Sequence, residues 1–387
     1  MDPYLFQRLL RRPWLSLCSL ALTAVLCFLL CFLWDYQQQQ EERLVQTQES
    51  FEVLCVVSNR QGTRTHGLRL GSMARLIVTS PEFELYPFVR DLRMTKELEV
   101  SCGELGISQA MLLGVTNERC AEALDSDMGG GVVLLEEGFF DSGELLCLVS
   151  EERYQLLGAE KTVTLLVTDP YYNPQHSDWP NAGSDAVTFR IAGYYAGAGA
   201  DVFMPFQAAW DLSYTLSGVS CVDSVSFVAA DNLALDALEK AALPYYGQVD
   251  PLADEYASPR IALTIHDEQY RATVAALEQN IQRTRYLLPL VALLGLGVSF
   301  LGSFLATRGE LRTYALMRTL GMTRKKLFWS VLREQLILPL AVIVVLAVLT
   351  NKFLPAFLYL LCHTAGCCLV VVRAIRVPPT AILRDQE

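Results

Sequence analysis

The chain has 387 residues, 52% of them hydrophobic and 19% charged, with a formal net charge of −11. An acidic chain with no long basic run carries no electrostatic footprint for nucleic acid. Its apolar residues are gathered into four stretches, one at the front and three close to the C-terminal end.

The first stretch, residues 14–34 from Trp14 to Trp34, is uncharged. It is long enough for a bilayer core of about 30 Å, which takes about 20 helical residues. A basic segment precedes it, as in a signal peptide, but the apolar run is longer than a secretory one. Trp34-Asp35-Tyr36-Gln37 offers no small-residue cleavage site, and no small residue precedes Cys31 as lipidation would need. The segment is therefore read as a retained anchor. Gln37 to Gln48 is polar and rich in helix formers, so the helix is expected to continue as a stalk.

Residues 35–285 read as one large α+β domain. Phe51, Val53, Cys55 and Val57 alternate as one face of a strand, and Ser58 to Gly62 is a turn. Strand character recurs in 131–135, 144–150, 162–168, 187–195, 202–205 and 222–229, with short helices over 151–157 and 233–242, and the runs 108–113 and 260–265 also carry apolar character. Val187–Tyr195 and Val202–Pro205 are joined by a Gly-rich turn. The loop from Asp169 to Asp185, with Trp179, is either a ligand or partner contact or a surface insertion. After Asp267, a plausible N-cap, Tyr270, Val274, Leu277 and Ile281 recur at helical spacing. They form either a second stalk seam or the inner face of a helix packed on its own domain.

The second apolar stretch covers 286–306, the third 327–350 with Arg333 and Glu334 near its start, and the fourth 353–372. Basic residues cluster beside them: Arg8, Arg11 and Arg12 before the first; Arg308, Arg312, Arg318, Arg324, Lys325 and Lys326 in the 307–326 loop; Arg373, Arg376 and Arg384 after the fourth. Four spans let all three clusters share the cytoplasmic side. The N-terminal segment 1–13, the 307–326 loop and the C-terminal segment 373–387 are then cytoplasmic, and 35–285 is extracytoplasmic. Charge agrees: from Tyr36 to Arg285 there are 36 acidic and 17 basic residues, against 6 and 14 elsewhere. The expected location is the plasma membrane, multi-pass, with both termini inside.

Eleven cysteines divide into three in the first span, three in the fourth and five outside. Cys55, Cys102, Cys120, Cys147 and Cys221 are odd in number, so no complete disulfide framework follows, although an oxidising compartment permits one or two bridges. His66, His176, His266 and His363 have no metal-ligand spacing. His363, midway along the fourth span, reads as a packed, hydrogen-bonded residue. No Gly-x-x-x-x-Gly-Lys-Ser/Thr occurs, so ATP is not cradled by a P-loop here, and no hydrolase motif appears. No catalytic, cofactor-binding or metal-binding residue is assigned.

The 307–326 loop carries the most specific pattern. Arg308-Gly309-Glu310-Leu311-Arg312-Thr313-Tyr314-Ala315-Leu316-Met317-Arg318-Thr319-Leu320-Gly321 is followed by Arg324-Lys325-Lys326 and, inside the next span, Glu334-Gln335. Leu311, Ala315 and Leu316 lie near one helical face, Gly321 suits a helix C′ position and Thr323 an N-cap. A short amphipathic helix, a break and a span fit either a coupling element or an interfacial helix on anionic lipid. The Gly321 break would let the short helix move semi-independently of the third span. Glu334, about two turns into that span, either bonds the short helix or snorkels to the interface.

These residues resemble the "R-x-E … A-x-M-R-x-L-G" loop of FtsX-like permeases of MacB type, membrane subunits of bacterial ABC systems. Val57-Ser58-Asn59 with Gly62-Thr63, Phe189 to Gly193 and Val202 to Pro205 are similar to the family's external MacB-like core. Pro378 with Ile382-Leu383-Arg384 is similar to its C-terminal end. The connection between the third and fourth spans, little more than Asn351 and Lys352, is shorter than the family's, and the third span lacks the family's glycines.

The resemblance implies an α-helical membrane protein with four transmembrane helices (1 + 3) around an extracytoplasmic α+β domain. It implies a permease subunit with a separate cytoplasmic ABC ATPase holding ATP and Mg, a second permease chain as homo- or heterodimer, and membrane lipid around them. Arg308, Glu310, Arg312, Leu316, Met317, Arg318 and Gly321 would form the ATPase contact, with Glu334 as an intramembrane polar residue stiffening it. An extracytoplasmic ligand or protein is left open as a further partner. The reading from another class is an ATP-independent signalling or scaffold protein whose external domain binds a ligand or cell-wall enzyme.

Overall fold

The computed structural model describes residues 13–120, 131–157, 161–170, 183–196, 201–254 and 260–376. Arg8, Arg11, Arg12, His176, Trp179 with most of its loop, the 197–200 turn, and Pro378, Ile382, Leu383 and Arg384 lie outside the described residues. The chain divides into two compact units: Gln48–Arg271, and Met1–Thr47 together with Ala272–Glu387.

Helix α1 spans Pro13–Ser50. The Gln48–Arg271 unit then runs β1 (Leu54–Asn59), α2 (Ser72–Thr79), β2 (Val89–Cys102), β3 (Ile107–Val115) and β4 (Val132–Leu134). It continues with β5 (Leu146–Ser150), α3 (Glu151–Leu157), β6 (Thr162–Thr168), β7 (Ser184–Tyr195) and β8 (Val202–Pro205). Helix α4 (Phe206–Ser217), β9 (Ser224–Ala229), α5 (Leu235–Ala242) and β10 (Ile261–Ile265) complete it. Four helices follow: α6 (Glu268–Arg308), α7 (Leu311–Thr319), α8 (Arg324–Thr350) and α9 (Phe353–Arg376).

The strands form one sheet in the order β10-β1-β9-β2-β3-β8-β5-β7-β4, and β6 bridges β7 back to β2. The bridge closes a six-stranded ring, β2-β3-β8-β5-β7-β6. Its inward residues fill it: Leu98 and Val100 from β2, Leu112 from β3, Val149 from β5, Val163, Leu165 and Val167 from β6, Phe189 from β7 and Met204 from β8, with Ala208, Ala209 and Leu212 of α4. The sequence Thr-Val-Thr-Leu-Leu-Val-Thr of β6 shows why, since every second residue is apolar and buried. β7 and β8 are strands but not neighbours, because β5 lies between them.

The runs 108–113 and 260–265, marked in the sequence only as apolar, are the strands β3 and β10, and α2, β2 and α4 fall where no element or apolar run was expected. The strand β2 is the instructive one. Lys96 occupies an inward position between Met94 and Leu98 and is 0% exposed, which breaks the apolar alternation. Its Nζ donates to Asp223 Oδ2 at 3.2 Å, and both side chains are fully buried. The same Nζ lies 3.4 Å from Cys221 Sγ. Asp223 Oδ2 also accepts the Glu97 backbone N–H at 2.8 Å. Burial works against the Lys96 charge, but the nearby Asp223, Cys221 and Asp169 outweigh it and hold the ammonium pKa above its usual value. A lysine inside a sheet is tolerable only with such a partner.

The strands that open and close the unit are adjacent. β1 pairs antiparallel with β10 from Cys55 opposite Ile265 to Asn59 opposite Ile261. The His266 N–H donates to the Leu54 carbonyl at 2.9 Å. The Asn232 side-chain amide donates to the carbonyls of Gln48 at 3.0 Å and Phe51 at 2.7 Å, and the Phe51 and Tyr270 ring centroids are 5.6 Å apart. Chain entry and exit therefore leave this unit side by side.

All eleven cysteines are free thiols. Burial pushes Cys147 up to about 12; burial and the Asp267 charge push Cys55 up to about 12. Buried thiols of this kind are core residues and poor nucleophiles.

In the other unit, α1, α6, α8 and α9 are each long and apolar enough to cross a membrane. The 38 residues of α1 and 41 of α6 correspond to about 57 and 62 Å of helix, roughly twice a bilayer core. Each therefore extends well beyond its own apolar stretch. On α6, Val274, Leu277 and Ile281 are half-buried and Thr284 buried among exposed neighbours. On α1, Gln37 and Leu44 are half-buried and Gln40 buried in the same way. These stripes end at Leu33 and Leu288, which belong to one cluster with Cys27, Leu30, Val291, Ile343 and Tyr359. Of the four residues at helical spacing, Val274, Leu277 and Ile281 are half-buried here, and Tyr270 packs on Phe51.

Candidate functional site

The site is built on the short helix α7 and the ends of the helices beside it. α6 stops at Arg308, and the Glu310 N–H returns to the Thr307 carbonyl at 3.0 Å. The Glu310 carbonyl then accepts the Tyr314 N–H at 3.0 Å, which starts α7. At the other end the Gly321 N–H donates to Arg318 O and the Met322 N–H to Met317 O, both at 3.1 Å. Those two bonds are a Schellman closure with Gly321 at C′, and its φ of 94° is one that a side chain would strain. Thr323 Oγ1 accepts the Lys326 N–H at 3.4 Å and caps α8.

α7 has two distinct faces. Tyr314 is buried and joins Leu327, Val331 and Val371, with Met317, Met322, Phe328 and Ile375 packed around them. The other face carries Arg312, Leu316 at 48% exposed and Leu320 at 87% exposed. Arg308, Arg324, Lys325 and Lys326 flank it and are exposed. An apolar ridge with a basic border is thus presented away from the bundle.

The residues singled out from sequence divide between the two faces. Arg308, Arg312 and Leu316 lie on the outward side. Met317 does not: it is half-buried and packs inward. Arg318 is also turned in, its Nη1 donating to the Ile375 carbonyl at 3.0 Å and so satisfying a carbonyl in the last turn of α9. Gly321 closes the helix. Glu310 and Glu334 are half-buried and line one cavity with Tyr314 and Gln335. The expectation that the Gly321 break frees α7 from the third span is not what the packing shows, because Tyr314 and Met317 are seated on α8 and α9.

Sequence reasoning overlooked the polar seam beneath α7. Gly295, Ser299, Ser303 and Thr307 recur every fourth residue along α6, and the three hydroxyl residues are buried. Ser303 Oγ donates to Gln335 Oε1 at 2.6 Å, and Gln335 Nε2 donates to Thr307 Oγ1 at 3.0 Å. Ser299 Oγ lies 2.6 Å from His363 Nδ1. A Cβ on Gly295 would lie 2.7 Å from Tyr359 Cε2, and one on Gly366 would lie 2.8 Å from Leu296 O. Small residues and interhelical hydrogen bonds join helices where hydrophobicity alone gives no preference. The four-residue repeat was visible in the sequence but concealed within an apolar run.

At the opposite end of α8 the connection to α9 is two residues long. Asn351 takes a left-handed conformation, φ 53°, as the C-cap of α8. Lys352 Nζ reaches Asp35 Oδ1 at 2.5 Å and Gln38 Oε1 at 3.3 Å. The short turn is therefore tied to α1 where that helix leaves its apolar stretch.

No family model and no curated protein matches the chain. Among solved structures, the chain is similar to the periplasmic region of MacB from Actinobacillus actinomycetemcomitans. The two share 13% identity over 59% of this chain and 94% of that one, with a TM-score of 0.33. It is also similar to the extracellular domain of the noncanonic ABC-type transporter YknZ from Gram-positive bacteria. There the identity is 11% over 55% of this chain and 99% of that one, with a TM-score of 0.29.

Proposed function

We propose that this chain is the permease-type membrane subunit of an ABC complex, working with a second permease chain and with a separate cytoplasmic ATPase that holds ATP and Mg. The observation that carries the reading is α7: a short helix closed at both ends, with Leu316 and Leu320 exposed inside a basic border, beside four span-length helices. Such a ridge suits a groove on a soluble partner, where buried apolar anchors supply most of the binding energy. In this reading Arg308 to Lys326 and both termini face the cytoplasm, and the Gln48–Arg271 unit is outside the plasma membrane.

Transmission follows from continuity. α6 runs without interruption from Glu268, just after β10, to Arg308, just before α7. Displacement of α7 by nucleotide-driven closure of the ATPases would act on α8 and α9 through Tyr314, Met317 and Arg318, and on the external sheet through α6. Pro289 lies within α6 near its entry into the apolar stretch, and the backbone bond it cannot make is a natural place for that helix to flex. ATP binding must favour one arrangement of the complex over the other for work to be done. Export of a hydrophobic or peptide substrate and mechanical control of an external partner both use the same transmission.

The test is purification of the tagged full-length chain from its native membrane, with and without Leu316→Glu. The wild type should carry an ATP-hydrolysing chain in stoichiometric amount, and Leu316→Glu should lose it while remaining inserted. A wild-type complex free of any ATPase, or a Leu316→Glu complex with undiminished ATPase, would overturn the assignment. Loss of membrane association governed by anionic lipid content, with the ATPase retained, would place α7 on the lipid surface instead.

A further inference from the structure

The sheet of the Gln48–Arg271 unit ends at β10, and the outer edge of that strand is only partly covered. The Arg60 N–H donates to the Arg260 carbonyl and the His266 N–H to the Leu54 carbonyl, both at 2.9 Å. In that antiparallel register residues 260, 262, 264 and 266 bond β1, and the N–H and carbonyl groups of Ile261, Leu263 and Ile265 point outward. Gly247 takes the first of these in a parallel bridge. Its N–H donates to the Ile261 carbonyl at 2.9 Å, and its carbonyl accepts the Leu263 N–H at 3.2 Å. The chain then turns off, and the Asp250 N–H bonds the Arg60 carbonyl at 2.9 Å instead. The next positions of the ladder, the Leu263 carbonyl and the Ile265 N–H, have no partner among the described residues.

A groove of about 420 Å³ lies along this open edge. Leu243, Tyr246, Val249, Leu263 and Ile265 give it apolar walls, and Glu239, Asp267 and Arg271 are its charged groups. Arg271 is held by Asp267 and by Asp236, the latter at 3.2 Å. The Glu239 carboxylate accepts the Gln248 amide at 3.5 Å and has no ion pair among the described residues.

We infer that this edge is a docking site for an extended segment of a partner protein, one that carries basic residues on either side of an apolar one. Its backbone continues the ladder that Gly247 begins, its apolar side chain enters the groove, and a Lys or Arg meets Glu239. Main-chain bonds supply the affinity in this mode of recognition, and pockets for alternate side chains supply the specificity. The site is independent of the ATPase assignment, and its test involves no ATP.

The test uses the purified full-length chain in phosphatidylcholine nanodiscs and a fluorescein-labelled peptide, Lys-Val-Lys-Val-Lys, followed by anisotropy. Binding should saturate at one per chain, and amide exchange over 261–266 should slow as it does. Alternate N–H groups of a strand face its neighbour. Of two probes, one N-methylated at the valines and one at the lysines, a single one should therefore lose about tenfold or more in affinity. Ile265→Pro removes the free N–H while the bonds to β1, made by residues 264 and 266, remain, and proline is tolerated at such an edge. It should weaken binding about five- to tenfold, the range for one hydrogen bond. Glu239→Gln should weaken it about two- to fivefold, as for an exposed ion pair. Lys-Lys-Lys-Val-Val, of equal charge and composition, should bind far more weakly. Absence of saturable binding to the folded wild type would overturn the proposal. So would equal binding of Lys-Lys-Lys-Val-Val, loss in both N-methylated probes or in neither, or unchanged affinity in Ile265→Pro or in Glu239→Gln. If Ile265→Pro instead dissociates an oligomer of this chain, the edge belongs to a second copy and the proposal falls. Thermal unfolding of each variant separates loss of the site from loss of the fold.

Discussion

Arg318 and Ile375 are 57 residues apart, yet the Arg318 guanidinium donates to the Ile375 carbonyl at 3.0 Å. The bond fastens α7 to the last turn of α9 and places a cation at the negative end of that helix. α7 is thus held from two sides, by this bond and by the Tyr314 cluster on α8. A push on its outer ridge is delivered to both helices at once.

Arg318→Ala should loosen α7 without preventing membrane insertion. A hydrogen bond involving a charged group contributes about 1.5–3 kcal/mol. Amide exchange over 311–319 should accelerate by about ten- to a hundredfold while exchange in the middle of α8 is unchanged. Arg318→Lys should recover only part of the protection, because an ammonium cannot reproduce the fork of a guanidinium. Equal exchange in Arg318→Ala and wild type would show that the apolar contacts suffice.

The Lys96–Asp223 pair predicts a stability effect in the Gln48–Arg271 unit. Removing one partner, as in Lys96→Met, leaves a buried carboxylate uncompensated and should cost about 3–5 kcal/mol. The double variant Lys96→Met with Asp223→Leu should lose less than the sum of the single changes, although the Glu97 N–H then lacks its acceptor. The pH dependence has a definite sign. The Lys96 pKa is raised above its unfolded value of about 10.4, so its stabilisation is complete below that pH and is lost as pH rises through the folded value. Denaturant unfolding at pH 8 and pH 11 should show a steeper alkaline loss in the wild type than in the double variant.

Orientation is open to direct chemical reading. In a background without native cysteines, Gln248→Cys should react with an impermeant thiol reagent on whole cells. Leu320→Cys, on the outer ridge of α7, should react only after lysis. Reaction of the Leu320 position from outside would invert the topology and remove α7 from the reach of a cytoplasmic ATPase.

Leu277→Asp tests the stalk. The position is half-buried within the Val274–Thr284 stripe, so a carboxylate there should cost about 1–3 kcal/mol locally. Limited proteolysis should become faster over 270–285, while the near-ultraviolet dichroism of the folded chain is retained. Unchanged cleavage would mean that the stripe is not a packed face.

The sequence was most legible where one physical signal dominated. Thr-Val-Thr-Leu-Leu-Val-Thr puts an apolar residue at every inward position, with Leu166 the one apolar residue facing out, and β6 has the expected bounds. Gly321 and Thr323 mark the end of one helix and the start of the next, and both perform those parts. β2 was hidden by Lys96, whose inward place depends on an aspartate 127 residues away. Helix α4 was hidden because Phe206, Trp210, Leu212, Tyr214 and Leu216 spread apolar character around it and left no clear period. On α7 the sequence showed an amphipathic helix but not which apolar residues face out. Leu316 and Met317 are adjacent and chemically alike, and only the presence of Val331 and Val371 turns one inward.

The pairing of β1 with β10 has a consequence for synthesis. Leu54 emerges early, but the strand that flanks it on one side ends at Ile265, about 200 residues later, and β9 on the other side comes only slightly sooner. At translation rates of about 5–20 residues per second, that delay is about 10–40 s. Through it β1 has two unpaired edges, apolar on the Cys55–Val57 face, and the six-stranded ring can close before β1 finds either neighbour. The link between the sheet and the helices that leave it is therefore the last part of that unit to form, and the part most exposed to wrong partners while the chain is still being made.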